Sequence, residues 1–249
     1  MSMWISCTLP QRRQARRVFA EMQQSDQKRV GFFLNDGGGE NWRLEVVART
    51  GSHNIRVADI DRDGDNDIVD ANWDSASDPM HAPLEMWRNL RSDRRNAHNL
   101  SLDKWTYIQV DDDRGKWGDF SKPEWLRYFD LAVGDVNKDG YLDIVAGRYY
   151  YRNPGGNMTG PWKRVTFLIN VDGMLLTDVD GDGQLDVIGE AVPDVYWLKP
   201  LDREGDNWKI GTIPEGTDWN TQGYMVARLV PEAKDPKSCF PARTVSFIS

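Results

Sequence analysis

The chain has 249 residues, with 31 Lys and Arg against 39 Asp and Glu, a formal net charge of −8. Such a length buries a sizeable core without disulfide staples, and the acidic balance excludes a general nucleic-acid binder, which would carry a basic footprint. No apolar run approaches the roughly 20 residues of a membrane-spanning helix, and two cysteines, Cys7 and Cys239, make neither a disulfide framework nor a thiolate metal site.

Residues 1–29 are an unassigned N-terminal segment in which Gln11–Gln24 reads as a helix. The opening residues hold no apolar core of a secretory signal. Two strands are expected next, at Gly31–Asn35 and Trp42–Val47. Then a phrase appears that recurs twice more. Its first copy runs Asp59, Asp61, Asp63, Gly64, Asp65, Asp67. The second runs Asp135, Asn137, Asp139, Gly140, Tyr141, Asp143. The third runs Asp178, Asp180, Asp182, Gly183, Gln184, Asp186. Short β-branched segments flank each copy, such as Ile55–Ala58 before the first and Ile68–Val69 after it. Each copy therefore reads as the turn of a hairpin.

Two further markers keep step. An aromatic strand follows each turn, around Trp87, Tyr149–Tyr151 and Trp197. A strand led by tryptophan follows that, at Trp105, Trp162 and Trp208. The unit is thus strand, acidic turn, strand, aromatic strand, Trp-led strand. Its period of about 43 residues predicts an all-β fold, a β-propeller of four-stranded blades spanning residues 30–230. The Trp-led strands are read as packing between blades rather than as sugar platforms. Insertions lengthen the first blade at Ser75–Pro83, Arg91–Asp103 and Asp111–Arg127. In a meander the acidic turns share one face with the second of these, and the other two lie on the opposite face. A new first strand is expected at Gly223–Leu229, followed by an irregular tail over residues 231–249. Three full blades with partial ends imply a piece of a larger propeller, with a four-bladed ring as the rival, because propellers close with four to eight blades.

The acidic turns have the chemistry of a hard-cation site. Ca²⁺ takes about six to eight oxygens, and carboxylates at positions 1, 3, 5 and 9 converge when a glycine at position 6 lets the chain curl. The expected side-chain ligands are Asp59, Asp61, Asp63 and Asp67; Asp135, Asn137, Asp139 and Asp143; Asp178, Asp180, Asp182 and Asp186. The backbone carbonyls of Asp65, Tyr141 and Gln184 join them from position 7. An EF-hand is excluded, since position 12 is Asp70, Ala146 or Gly189 instead of a glutamate and the flanks are strands. Mg²⁺ fits less well, because it prefers a tighter octahedron with several waters.

The pattern Asp-x-Asp-x-Asp-Gly-x-x-Asp between short strands resembles the FG-GAP and VCBS repeats of integrin-α-like propellers. The resemblance implies a propeller holding about three structural Ca²⁺ and an extracellular setting. It also implies a binding role, since such propellers serve as adhesion modules, as lectins and as domains of carbohydrate-active enzymes. Two readings follow. The first is a non-catalytic module for a glycan or protein ligand; the second is the propeller part of a carbohydrate-active lyase or dehydratase. Candidate ligand-binding residues lie on the insertion face: His53, His81, Trp117, Trp125, Arg148 and Glu190. No residue spacing specifies a catalytic group.

The three acidic phrases together hold 12 aspartates and two basic residues, a charge of −10. The rest of the chain is therefore +2. The acidity of this protein is an acidity of its turns.

Overall fold

Short β-branched and aromatic runs separated by Asp-Gly turns favour an antiparallel meander. The computed structural model describes residues 16–21, 29–35, 40–50, 54–71, 83–90, 105–114, 130–191, 194–213, 224–227 and 244–247. A leading sheet joins β1 (Arg16–Glu21), β2 (Arg29–Asn35) and β3 (Trp42–Ala48) in that order. Blade 1 is β4 (Asn54–Ala58), β5 (Asp67–Ala71), β6 (Leu84–Asn89) and β7 (Trp105–Asp111). Blade 2 is β8 (Leu131–Gly134), β9 (Asp143–Ala146), β10 (Tyr149–Arg152) and β11 (Lys163–Thr166). Blade 3 is β12 (Asp172–Thr177), β13 (Asp186–Ala191), β14 (Asp194–Pro200) and β15 (Trp208–Ile213). Each blade is a four-stranded antiparallel meander in sequence order, as a propeller requires. A two-stranded sheet of β16 (Tyr224–Ala227) and β17 (Thr244–Phe247) follows.

The cores lie between blades, and the period of 2 along each strand distributes them. Ile68 faces the leading sheet with Val30, Ile55 and Trp87. Its neighbour Val69 faces blade 2 with Leu84, Met86, Leu131, Ile144, Tyr149 and Tyr151. In blade 2, Val145 and Tyr150 turn the other way and meet Val187 and Leu198 of blade 3. The second strands β5, β9 and β13 are buried along their whole length. That explains why they read as apolar runs instead of alternating. The Trp-led strands pack as expected. Trp105 meets Phe32 at 6.3 Å, and Trp208 meets Phe167 at 5.0 Å edge-on. Trp162 packs against the core between blades 1 and 2.

Blades 2 and 3 approach closely at one point. Gly173 N–H donates to the Gly147 carbonyl at 2.8 Å, forming an isolated antiparallel bridge. A Cβ on Gly173 would lie 2.6 Å from Val145 Cγ1 and 2.7 Å from the Gly147 oxygen.

Two expectations are corrected. The helix over Gln11–Gln24 is replaced at Arg16–Glu21 by strand β1, which pairs along β2 from Arg16↔Leu34 to Glu21↔Arg29. A short isolated helix is marginal in water, whereas the free edge of β2 offers backbone partners to alternate residues laid along it. The tail expected to be irregular contains β17, because Thr244–Phe247 pairs antiparallel with β16. No helix among the described residues is long and apolar enough to cross a membrane.

Replacing Gly173 by alanine is expected to destabilise the fold by about 1–3 kcal/mol, the usual cost of overpacking. Gly211→Ala should be near neutral, since its nearest neighbour would be 3.8 Å away. Equilibrium urea unfolding of the two variants checks this contrast.

Candidate metal centres on the acidic turns

Turn 1 (Asp59–Asp67) joins β4 to β5, turn 2 (Asp135–Asp143) joins β8 to β9, and turn 3 (Asp178–Asp186) joins β12 to β13. All three fold by one hydrogen-bond scheme. The position-6 glycine N–H donates to the position-1 carboxylate: Gly64 to Asp59 at 3.1 Å, Gly140 to Asp135 at 2.9 Å, Gly183 to Asp178 at 3.1 Å. The position-5 N–H donates to the side chain at position 3: Asp63 to Asp61, Asp139 to Asn137, Asp182 to Asp180. The position-7 N–H donates to position 5: Asp65 to Asp63, Tyr141 to Asp139, Gln184 to Asp182. Aspartates therefore suit these positions for a conformational reason as well as an electrostatic one. The glycines are required, with φ of 93°, 94° and 85° at Gly64, Gly140 and Gly183.

The position-9 aspartate ties each turn to its blade. Asp67 accepts from Ile60 N–H at 3.0 Å and from Asn89 N–H, at the end of β6, at 2.8 Å. Asp143 accepts from Val136 N–H at 3.0 Å, from Asn153 N–H at 2.9 Å and from the Tyr150 hydroxyl at 3.0 Å. Asp186 accepts from Val179 N–H at 2.9 Å. Its counterpart to Asn89 and Asn153 is Pro200, which has no N–H to donate. Asp186 Oδ1 is accordingly buried without a hydrogen bond. The Trp197 indole nearby favours the ionised form of Asp186 without reaching hydrogen-bond geometry.

Burial dominates the electrostatics. Asp67 and Asp143 are fully buried, and desolvation pushes their carboxyls up to about 7 and about 6 against the pull of those N–H donors. Desolvation also raises Asp186 and Asp63. Asp182 is lowered, first by the ammonium of Lys199.

In turns 1 and 3 the structure brings three of the four expected side-chain ligands together. One oxygen each from Asp59, Asp61 and Asp67 lies within 4.8 Å of the others, and the same holds for Asp178, Asp180 and Asp186. Asp59 Oδ1 is buried without a hydrogen bond, as is Asp186 Oδ1. In turn 2 Asn137 takes the middle position and donates to Asp139 Oδ2 at 2.9 Å. Clustered hard oxygens with an unsatisfied buried oxygen in each of two turns are a donor set that fits a hard divalent cation. Among the position-7 residues, the Gln184 side chain is engaged with the carbonyls of Asp202 and Arg203 at 3.0 and 3.3 Å. The Tyr141 ring lies under the Arg62 guanidinium at 5.9 Å.

Of the expected ligand-binding residues, His53, His81, Trp117 and Trp125 lie outside the described residues. Arg148 and Glu190, expected as ligand-binding residues, are buried, with 4% and 6% of their surface exposed. Arg148 donates to the Tyr149 hydroxyl at 3.0 Å and lies over its ring. Glu190 stands cross-strand from Asp172. That pairing belongs to a polar group the sequence reading missed. Asn54 donates to Asp130 at 3.0 Å, and Asp130 N–H donates to Asp172 at 3.0 Å. Burial, then Asp172 and more weakly Glu190, push the Asp130 carboxyl far up, with Arg56 opposing. Arg114 is fully buried, and desolvation lowers its pKa against the opposing influence of Tyr151, Asp172, Asp111 and Asp70. The signal was present: Asn54 and Asp130 both stand five residues before an acidic turn, and Asp172 six before, the extra residue being a bulge in β12.

The fold is thus a β-propeller whose blades carry acidic turns at the same ends of their first strands. Residues 128–160, which hold β8 to β10 and turn 2, match the FG-GAP repeat. The chain therefore carries an FG-GAP repeat in blade 2, and blades 1 and 3 repeat its acidic turn in register. A solved structure similar to this chain is a lectin of Agrocybe aegerita, described for its specific recognition of non-reducing terminal N-acetylglucosamine. The two are 16% identical with a TM-score of 0.35, over 81% of this chain and 63% of the lectin chain. This chain thus spans less than two thirds of that lectin's length. No curated protein matches it.

Asp67 and Asp143 hold their protons more tightly folded than unfolded, where an aspartate titrates near ~4. Without a metal, raising the pH from about 4 to about 7 therefore favours the unfolded state. In chelator the thermal midpoint is expected to be lower at pH 7.5 than at pH 5, by about 10 °C if both carboxyls contribute fully. Calorimetry at the two pH values checks it, and a higher midpoint at pH 7.5 would contradict the electrostatics described.

Proposed function

We propose that the chain is a calcium-binding FG-GAP-repeat propeller that acts as a non-catalytic binding module for a glycan or protein ligand. The observation that carries the calcium part is the acidic turn repeated in register in three blades, with orphaned carboxylate oxygens on Asp59 and Asp186. The ligands would be the side chains at positions 1, 3, 5 and 9, with the carbonyls of Asp65, Tyr141 and Gln184. The ion would neutralise each cluster and clamp the turn between two strands, so its binding energy adds to folding. Affinities near ~10⁻⁴–10⁻³ M, the range of extracellular modules, would suit an extracellular setting.

Millimolar EGTA is expected to lower the thermal midpoint, and about 10 mM Ca²⁺ to stabilise the fold by about 2–3 kcal/mol per site with a Kd near ~10⁻⁴ M. Asp182→Ala should reduce this calcium-dependent gain more than Asp119→Ala, which lies outside the turns. An unchanged midpoint on chelation would refute the calcium reading.

The ligand is assigned to the face opposite the acidic turns. Support comes from the insertion that starts at Asp111 and runs through Trp117 and Trp125, mixing aromatic planes with charges as glycan and peptide sites do. Its first residues are anchored on blade 2. Asp111 accepts from the Tyr151 hydroxyl at 2.7 Å and from Arg164 at 2.8 Å.

One observation favours the second reading, a carbohydrate-active lyase or dehydratase. Asp130, beside Asp172 and Glu190, is a half-buried carboxyl whose proton affinity desolvation and the neighbouring carboxylates raise, as a general acid requires. A glycan array combined with an assay for unsaturated products separates the readings. Binding without turnover, weakened about tenfold or more by Trp117→Ala or Trp125→Ala, is the expected result, since one stacked ring contributes about 1–3 kcal/mol in comparable sites. Turnover abolished by Asp130→Asn would establish the enzyme instead.

A further inference from the structure

The residue before Asn89, Asn153 and Pro200 is a cation in every full blade: Arg88, Arg152 and Lys199. The three occupy one register position, because the residue preceding each pairs one step beyond a position-9 aspartate. Trp87 pairs with Ile68, Tyr151 with Ile144 and Leu198 with Val187. Their partners differ. Arg88 Nε donates to Asp61 Oδ2, and its Nη2 lies 3.5 Å from Asp63 Oδ2. Lys199 Nζ donates to Asp180 Oδ2 and lies 2.8 Å from Asp182 Oδ2. Both cations therefore bridge positions 3 and 5 of their own turn. Arg152 turns away to the next blade, where it pairs with Glu204 at 2.7 Å and lies 3.7 Å from Asp206. In turn 2 the same gap is closed by the neutral amide of Asn137.

We propose that Arg88 and Lys199 are tethered counter-cations that compete with Ca²⁺ for turns 1 and 3, whereas Arg152, paired with Glu204 of the next blade, does not compete at turn 2. The proposal rests on the calcium reading above. An ion taking the position-3 and position-5 oxygens must displace the guanidinium or ammonium from them and is repelled by it at short range. The tethered charge thus lowers affinity in the blade that carries it, and binding releases that side chain from the turn. Removing one such charge should tighten its own site about tenfold, given the strength of charge pairs at a partly buried surface.

Each turn has its own reporter, the N–H of Gly64, Gly140 or Gly183 held on the position-1 carboxylate. Calcium titration of the full chain followed by ¹H–¹⁵N correlation spectra at these three amides resolves the sites. Lys199→Gln is expected to move the Gly183 midpoint to about tenfold lower Ca²⁺ and leave Gly140 unchanged. Arg88→Gln should do the same at Gly64. Arg152→Gln should move none of them, and Lys199→Arg, which keeps the charge, should leave Gly183 near its wild-type midpoint. Unchanged or weaker binding at Gly183 in Lys199→Gln, with wild type still titrating, would overturn the competition alone. Silence of all three glycines in every protein would remove the calcium reading and the competition with it.

Discussion

The position-9 aspartate is the contact on which the rest depends. Asp67 and Asp143 each accept a backbone N–H from the start of the turn and another from the end of the third strand. One carboxylate thereby fixes the turn, the second strand and the third strand in a single geometry. Its burial is unfavourable for the charged form, and the N–H donors offset only part of that cost, which is why both carboxyls titrate high. Blade 3 shows what happens when one donor is missing. Pro200 leaves Asp186 Oδ1 unsatisfied, in a carboxylate that clusters with Asp178 and Asp180.

From these clamped turns the order passes outward through the blade interfaces. Asn153 of blade 2 donates to the Ile60 carbonyl in turn 1 at 3.2 Å, and Arg203 of blade 3 donates to the Asn137 carbonyl in turn 2 at 3.0 Å. Turns 1 and 2 are thus each braced by the following blade as well as by their own. Alternate side chains of β9 and β10 serve the cores on either side, so a blade cannot shift without disturbing both neighbours. The propeller couples acidic turns that are distant in sequence into one continuous face. The opposite end of the first strands gathers Asn54, Asp130, Asp172 and Glu190 into a second polar centre.

Much of this was legible in the residues. The acidic phrase, the aromatic strand and the Trp-led strand recur in step, and periodicity of that kind defines a blade without tertiary information. The turn geometry was legible for the same reason, since aspartates at alternate positions around a glycine dictate local hydrogen bonds within nine residues. Strand β1 was not legible, because arginines and an Ala-Glu-Met run carry helical propensity while the competing partner, the β2 edge, is supplied by the fold. The burial of Arg148 and Glu190 was hidden likewise. Their strands end at the blade rim in sequence terms, but whether a rim is covered depends on what packs over it.

By itself, then, the sequence determined the architecture of the repeat, the positions of its acidic turns and the concentration of negative charge in them, because each follows from local spacing. The tertiary structure alone decided which carboxylate oxygens are satisfied and which are orphaned. It also decided which cation reaches which turn, and which charged residues stand together at the far end of the first strands. Those outcomes depend on distances between chain segments tens of residues apart. Only the packing of one blade on the next sets them.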